Sequence, residues 1–197
     1  MITIVIQAGG ASSRMGQDKA LMPFLGRPLV ERIVARLADL GDEVLVTTNR
    51  PHDYAFLNLP LFSDLMPGLG ALGGLYTALQ AAKHALVAVV ACDMPFVDPN
   101  LLRAQIDLLE REGADVVIPR SDEGFEPLHA IYRRETCLPA VKAALDRGDR
   151  KMISWFDAVK VRVMTMEEVA AVDPGFRSFI NVNSPEEFRK AEQEAGE

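Results

Sequence analysis

The stretch Ile2-Thr3-Ile4-Val5-Ile6-Gln7-Ala8-Gly9-Gly10-Ala11-Ser12-Ser13-Arg14-Met15-Gly16-Gln17-Asp18-Lys19 decides the fold. Its first five residues are all β-branched and show no apolar–polar alternation. That pattern predicts a central strand, Ile2 to Ile6, buried on both faces as in a parallel sheet. A polar loop carrying three glycines follows, from Ala8 to Lys19. In open α/β sheets ligands bind at the carboxyl ends of strands, and a glycine loop there turns its N–H groups toward anionic oxygens. Arg14 adds a planar fork for phosphate and Lys19 a point charge. Neither common phosphate signature fits. Gly10 and Gly16 have five residues between them and Lys19 comes later, which fails G-x-x-x-x-G-K-[ST]; Gly9 and Gly10 are adjacent, which fails G-x-G-x-x-G. The bland reading of the loop is a tight turn with solvated charges.

Working outward, Pro28 opens a helix carrying Leu29, Ile33, Leu37 and Leu40 on one face, and Gly41 is expected to stop it. Glu43 to Thr48 reads as a strand, and Leu59 to Phe62 as a short one at an edge because of Pro60. Gly70 to Ala82 is helical. Ala85 to Ala91 is the strongest strand. Asp98 as N-cap and Pro99 as first residue start a helix running to about Arg111. Ala114 to Pro119 is a further strand. This alternation predicts an α/β fold with helices on both faces of the sheet. After Pro119 the rhythm changes: Glu126 to Arg133 reads as a strand that breaks the alternation, Thr136 to Arg147 as a helix, Val159 to Thr165 as a strand. Pro185 to Glu194 reads as a helix with a capping box from Ser184 and Glu187. With no internal repeat or linker, one domain over 1–197 is expected, with 121–197 elaborating the sheet.

Composition narrows the classes. The chain has 197 residues, 21 Lys+Arg and 28 Asp+Glu, hence a net charge of −7, which argues against a nucleic-acid binder with a broadly basic surface. Cys92 and Cys137 make no disulfide scaffold or C-x-x-C pair, so a reducing, cytoplasmic compartment is expected. The longest apolar run, Ala85 to Cys92, is far short of the roughly 20 residues a membrane span needs, and no secretory leader is expected from the N-terminal sequence. Seven of the 14 glycines fall in two short segments, Gly9 to Gly16 and Gly68 to Gly74, where backbone must turn sharply or approach a ligand closely.

Further candidates sit at strand ends. Asp93, just beyond the strongest strand, suits Mg²⁺, which binds through one or two carboxylates plus phosphates; its structural alternative is to cap the next turn. Asn49 either reads a base or ribose or forms a turn. Asn181 and Asn183 are two apart, so an extended chain turns them to one side. His129 is either a substrate contact or, more commonly for a strand histidine, packed. Arg150 and Lys151 are either anion ligands or surface cations, and His52 and His84 have no evident partner. Cys92 reads as a small buried residue rather than a nucleophile.

The string Ala8 to Lys19 resembles the signature of the molybdenum-cofactor guanylyltransferase family, approximately L-A-G-G-x-S-x-R-M-G-x-D-K, with Gln7 in place of its leucine. Ala91-Cys92-Asp93-Met94-Pro95-Phe96 resembles its A-x-D-M-P-F segment, and Asp64 with Pro67 to Gly74 its D-x-x-P-G-x-G-P-L-A-G segment, Ala71 and Gly73 being departures. Pro127 to Tyr132 is similar to its P-L-x-A-x-Y strand, and Asn181 to Glu186 to its N-x-N-[ST]-P-E ending. The resemblance implies a Rossmann-like three-layer α/β/α sandwich with a mostly parallel sheet, of the nucleotide-diphospho-sugar transferase type. It implies a nucleotide-binding half, 1–120, and an acceptor-side half, 121–197.

It implies a Mg²⁺-dependent enzyme that transfers GMP from GTP to the terminal phosphate of molybdopterin and releases pyrophosphate. Gln7, Ala8, Gly9, Gly10, Asn49 and Asp64 would line the nucleotide. Arg14 and Lys19 would act on the triphosphate, Asp93 would ligate the metal, and Asn181 and Asn183 would face the pterin. Proteins that insert molybdenum and molybdoenzyme chaperones are the implied protein partners. Two alternatives stay open: a related transferase using CTP or a sugar or polyol phosphate acceptor, and a non-catalytic GTP-binding adaptor in cofactor delivery.

Overall fold

The computed structural model describes residues 1–8 and 18–196. The candidate residues Gly9, Gly10 and Arg14 therefore lie outside the described residues. In chain order, β1 (Ile2–Gln7) is followed by a 3-10 turn (Lys19–Leu21), a hairpin of β2 (Pro23–Phe24) and β3 (Arg27–Pro28), α1 (Leu29–Leu37) and β4 (Glu43–Thr47). A 3-10 segment (Pro51–Leu57), β5 (Leu61–Phe62), α2 (Gly70–Ala81), β6 (Leu86–Ala91), α3 (Pro99–Glu112), β7 (Val116–Ser121) and β8 (Gly124–Phe125) come next. The chain continues through β9 (His129–Arg133), α4 (Arg134–Asp146), β10 (Val161–Met164), α5 (Met166–Ala170) and α6 (Pro185–Gly196).

The sheet order is β10-β7-β9-β6-β1-β4-β5, with β8 attached to β7. All six residues of β1 are buried, as its unalternating pattern requires. Ile2, Ile4 and Ile6 face α1, α3 and α6, packing in one cluster with Leu29, Leu102 and Phe188. Val5 faces the other way and clusters with Val87 and Val89 of β6 and with Leu72 and Leu75 of α2, on the α2–α4 side. Burying each such aliphatic side chain is worth about 1.5–3 kcal/mol. These two apolar layers around one sheet make the three-layer α/β/α sandwich that the sequence predicts.

β1 pairs in parallel with β4 and β6, and β4 with β5. The break in rhythm after Pro119 is β9, which runs antiparallel between β6 and β7. Because β9 is antiparallel to both neighbours, β6 and β7 point the same way, and residues 121–126 at the end of β7 stand at the same sheet end as the end of β6.

Some local expectations shift. Asp98 caps α3, its Oδ1 accepting from Asn100 N at 2.9 Å, and the Ser184–Glu187 box forms, with Glu187 N donating to Ser184 Oγ at 3.2 Å and Ser184 N to Glu187 Oε2 at 2.9 Å. The strand at Pro60 shortens to Leu61–Phe62, because the proline precedes the pairing and offers only its carbonyl, to Val46 N at 3.0 Å. α1 ends at Leu37, and Gly41 is not in the left-handed region that a glycine helix stop uses. A side chain there would meet Ile4 Cγ1 at 2.6 Å and Glu43 O at 2.9 Å. The glycine therefore lets the chain pass close to the first half of β1 rather than ending the helix. Gly41→Ala is expected to destabilise the protein by about 1–3 kcal/mol through overpacking, measured as a lower urea midpoint at unchanged slope.

Candidate functional site

Strand connections diverge from the β1–β6 pair: from β1 the chain moves to β4 on one side, and from β6 it moves to β7 and β9 on the other. The carboxyl end of such a switch point opens a crevice for ligands. Cys92 N donates to Gln7 O at 3.2 Å, continuing the pairing one step beyond both strands. Asp93 then emerges beside the end of β1.

Lys19 reaches this point because Asp18 starts a 3-10 turn, its Oδ1 accepting from Ala20 N at 3.2 Å. Asp18 Oδ2 also accepts from the Tyr54 hydroxyl at 2.8 Å and pairs with the Arg50 guanidinium. With those partners it is a clamp between the loops after β1 and β4, which the sequence reading did not single out. Lys19 Nζ lies 3.6 Å from Asp93 Oδ2 and donates to Asn183 Oδ1 at 2.7 Å. Three segments distant in sequence thus converge: Lys19, Asp93 and Asn183. Burial pushes the Asp93 carboxyl above its usual range, and the Lys19 ammonium pulls it back only in part. Among the described residues no three His, Cys, Asp or Glu side chains gather as a metal site. A single carboxylate short of positive charge does suit Mg²⁺ in a site completed by phosphates. The Cys92 thiol is pushed upward by burial and by the Asp93 charge, so it is a poor nucleophile.

Asn49 and Asp64 form a second group across the ends of β4 and β5. Asp64 N donates to Asn49 Oδ1 at 3.0 Å, while Asp64 Oδ1 accepts from Met66 N at 2.9 Å and from Thr77 Oγ1 at 3.0 Å. Gln7 and Thr47 join them around a small recess. Ala8 lies at the end of β1 with its N–H committed to Thr47 O at 2.8 Å, so that amide is not free for phosphate.

Asn181 and Asn183 both line a cavity of about 540 Å³ between the β7–β9 connection and α6. Phe176, Phe179, Ser121 and Glu126 line it too, none of them a candidate site residue from the sequence. Glu126 neighbours a quoted motif, which was the only signal available. Its Oε1 accepts from Ser121 Oγ at 2.6 Å, and burial holds its carboxyl above the usual range. Arg150 and Lys151 are exposed and away from this cavity.

Residues 4–162 match the family model described as the MobA-like NTP transferase domain. The chain belongs to the MobA-like NTP transferase family. Among relatives of this nucleotidyltransferase, a probable molybdenum cofactor guanylyltransferase of Carboxydothermus hydrogenoformans is 35% identical over 189 residues, 96% of this chain and 94% of its own. The molybdenum cofactor guanylyltransferase of Desulfosudis oleivorans is 34% identical over 192 residues, 97% and 94% of the two chains. The crystal structure of molybdopterin-guanine dinucleotide biosynthesis protein A from Archaeoglobus fulgidus superposes with a TM-score of 0.85 at 26% identity, covering 100% of this chain and 99% of that one. No helix among the described residues of this MobA-like transferase is long and apolar enough to cross a membrane.

His129 does not stand at the site. It is fully buried, edge-on to Phe179 with ring centroids 5.2 Å apart, and its backbone oxygen accepts from Gln105 Nε2 at 3.0 Å. The substrate-contact alternative fails because a core strand position leaves it no exposed surface. Burial lowers its pKa from 6.5 to about 4. A base depressed in the folded state is protonated more readily in the unfolded state, so the stability it contributes above pH 6.5 is lost as the pH falls toward 4. His129→Phe is expected to lose less stability than the wild type across that interval, measured by urea unfolding at the two ends.

Proposed function

We propose that this chain transfers the GMP part of GTP to the terminal phosphate of a molybdopterin-type acceptor, releasing pyrophosphate and forming the guanine dinucleotide of the cofactor. The observation that carries the reading is the convergence of Lys19, Asp93 and Asn183 at the switch point, with the Asn49–Asp64 group on one side and the 540 Å³ cavity on the other. A transferase that joins two substrates needs two sites meeting at one charged centre. The names of the relatives, two guanylyltransferases and a molybdopterin-guanine dinucleotide biosynthesis protein, support the choice of guanine nucleotide and acceptor.

In this reading the chain is one nucleotidyltransferase domain, with residues 1–120 holding the nucleotide and 121–197 the acceptor. Gln7, Ala8, Gly9, Gly10, Asn49 and Asp64 surround the nucleoside. Asp93 holds Mg²⁺, whose contribution when bound is to neutralise phosphate charge. Lys19 and Arg14 stabilise the negative charge that moves onto the leaving pyrophosphate. An oxygen of the acceptor phosphate forms the new bond to the α-phosphorus as the bond from that phosphorus to the pyrophosphate oxygen breaks. The protein supplies position and charge and needs no covalent nucleophile. Asn183, already tied to Lys19, holds the acceptor phosphate near the centre. Farther in, aromatic Phe176 and Phe179 and the carboxyl of Glu126 suit a flat heterocycle with N–H donors, as the aminopyrimidine ring of a pterin has.

The test is incubation with GTP, Mg²⁺ and loaded molybdopterin, followed by mass analysis of the cofactor, alongside a panel of GTP, CTP and ATP read by pyrophosphate release. The expected product carries one added GMP, and turnover of GTP exceeds that of CTP and ATP. Asp93→Asn and Lys19→Ala are each expected to lower turnover at least about a hundredfold, the scale of losing one preorganised electrostatic group. Near-wild-type turnover by Asp93→Asn would contradict the role given to that carboxylate.

A further inference from the structure

Two buried polar atoms without a hydrogen-bond partner among the described residues, Gln7 Oε1 and Thr47 Oγ1, belong to residues that line the same recess. Gln7 is only 7% exposed and Thr47 only 4%. Buried polar atoms are almost always paired, so two unpaired ones in one recess call for a partner. Three neighbouring oxygens of the recess, Asn49 Oδ1, Asp64 Oδ1 and Thr77 Oγ1, already hold hydrogen bonds. Asn49 Oδ1 accepts from the Asp64 amide. Asp64 Oδ1 accepts from Met66 N and Thr77 Oγ1, and the Thr77 hydroxyl also accepts from Leu65 N.

The space beside these atoms is built and small. Gln7 ends β1 with its side chain on the α2 face, and α2 passes it at Gly74. A Cβ at position 74 would stand 2.1 Å from Gln7 Nε2 and 2.8 Å from its Cδ. The glutamine therefore fits only because residue 74 has no side chain. The cavity they share has a volume of about 20 Å³, room for roughly one water molecule. That is also the size of an exocyclic amino group, while a purine ring is too large to enter.

We propose that Gln7 is a specificity-determining residue that accepts a hydrogen bond from the 2-amino group of guanine, in a recess that Gly74 keeps open. The inference rests on the reading of GTP as substrate and adds to it an atom that recognises the base. The ring lies outside the recess and only its amino edge enters, satisfying Gln7 Oε1. A site built around such an acceptor discriminates strongly against an analogue that lacks the donor, because the buried oxygen is then left unpaired.

Inosine triphosphate differs from GTP in lacking that amino group alone. Calorimetric titration of the full-length protein with GTP, inosine triphosphate and CTP, each with Mg²⁺, is the test. The wild type is expected to bind GTP at least about tenfold more tightly than inosine triphosphate. Gln7→Leu removes the acceptor and Gly74→Ala displaces it, and in each the GTP-to-inosine ratio is expected to fall to near one. Equal wild-type affinities for the two purines, both ahead of CTP, would overturn the role of Gln7 while leaving GTP as substrate, the recess then holding a structural water only. A ratio preserved in Gln7→Leu would overturn it as well. Preference for CTP over both purines would overturn the GTP reading itself, and this inference with it.

Discussion

The parallel pairing of β1 with β6 is the constraint on which the site depends. The register runs Ile6 to Val90 and Gln7 to Ala91, and one further bond joins Cys92 N to Gln7 O. It sets Asp93 beside the end of β1 and turns Gln7 toward α2. A slip of one residue would turn every β1 side chain to the opposite face. That slip would carry Ile2, Ile4 and Ile6 out of one apolar layer and Gln7 away from Gly74, so the packing that stabilises the sheet also specifies the site. From the other direction, Val182 N donates to Asp93 O at 3.0 Å, which ties the segment bearing Asn181 and Asn183 to the same point.

Charge at the centre follows local geometry rather than the chain's balance. A net charge of −7 gives no general attraction for a polyphosphate. At the switch point, however, the Lys19 side chain is only 16% exposed and its ammonium is directed at Asp93 and Asn183. Asp18 holds it there through its turn, and the Arg50 and Tyr54 contacts of Asp18 link that turn to the end of β4. Asp93 is held above its ordinary range by burial, so additional positive charge beside it is stabilising. The 540 Å³ cavity, by contrast, carries the carboxyl groups of Glu126 and Glu187, and in the proposed function it takes the uncharged, donor-bearing end of the acceptor.

What could be read from the sequence was whatever a short local pattern controls. The unbroken apolar runs of β1 and β6 state burial on both faces. Asp98-Pro99 and Ser184 with Glu187 state helix starts through their own hydrogen bonds. The two-residue strands of the Pro23–Pro28 hairpin, the 3-10 segment at Pro51–Leu57 and the five-residue α5 were missed, because each is too short for periodicity to mark and is set by its neighbours. Gly41 looked like a helix stop, yet the contact that demands it is with Ile4, nearly forty residues earlier. At the site, Lys19, Asp64, Asp93 and the two asparagines were named from motifs. Glu126, Phe176 and Phe179 were not named as site residues, since they meet in one cavity only because β7 and β10 pair in parallel and both strands end on that side. Nor did any local pattern show that Gln7 needs a glycine at position 74.

The central claim is that Asp93 is the protein's link between metal and nucleotide. The most direct measurement is the affinity for GTP with and without Mg²⁺ in the wild type and in Asp93→Asn, by calorimetry on the full-length protein. The account predicts that Mg²⁺ tightens GTP binding to the wild type and that this gain is lost in Asp93→Asn. An equal gain in both proteins would contradict it.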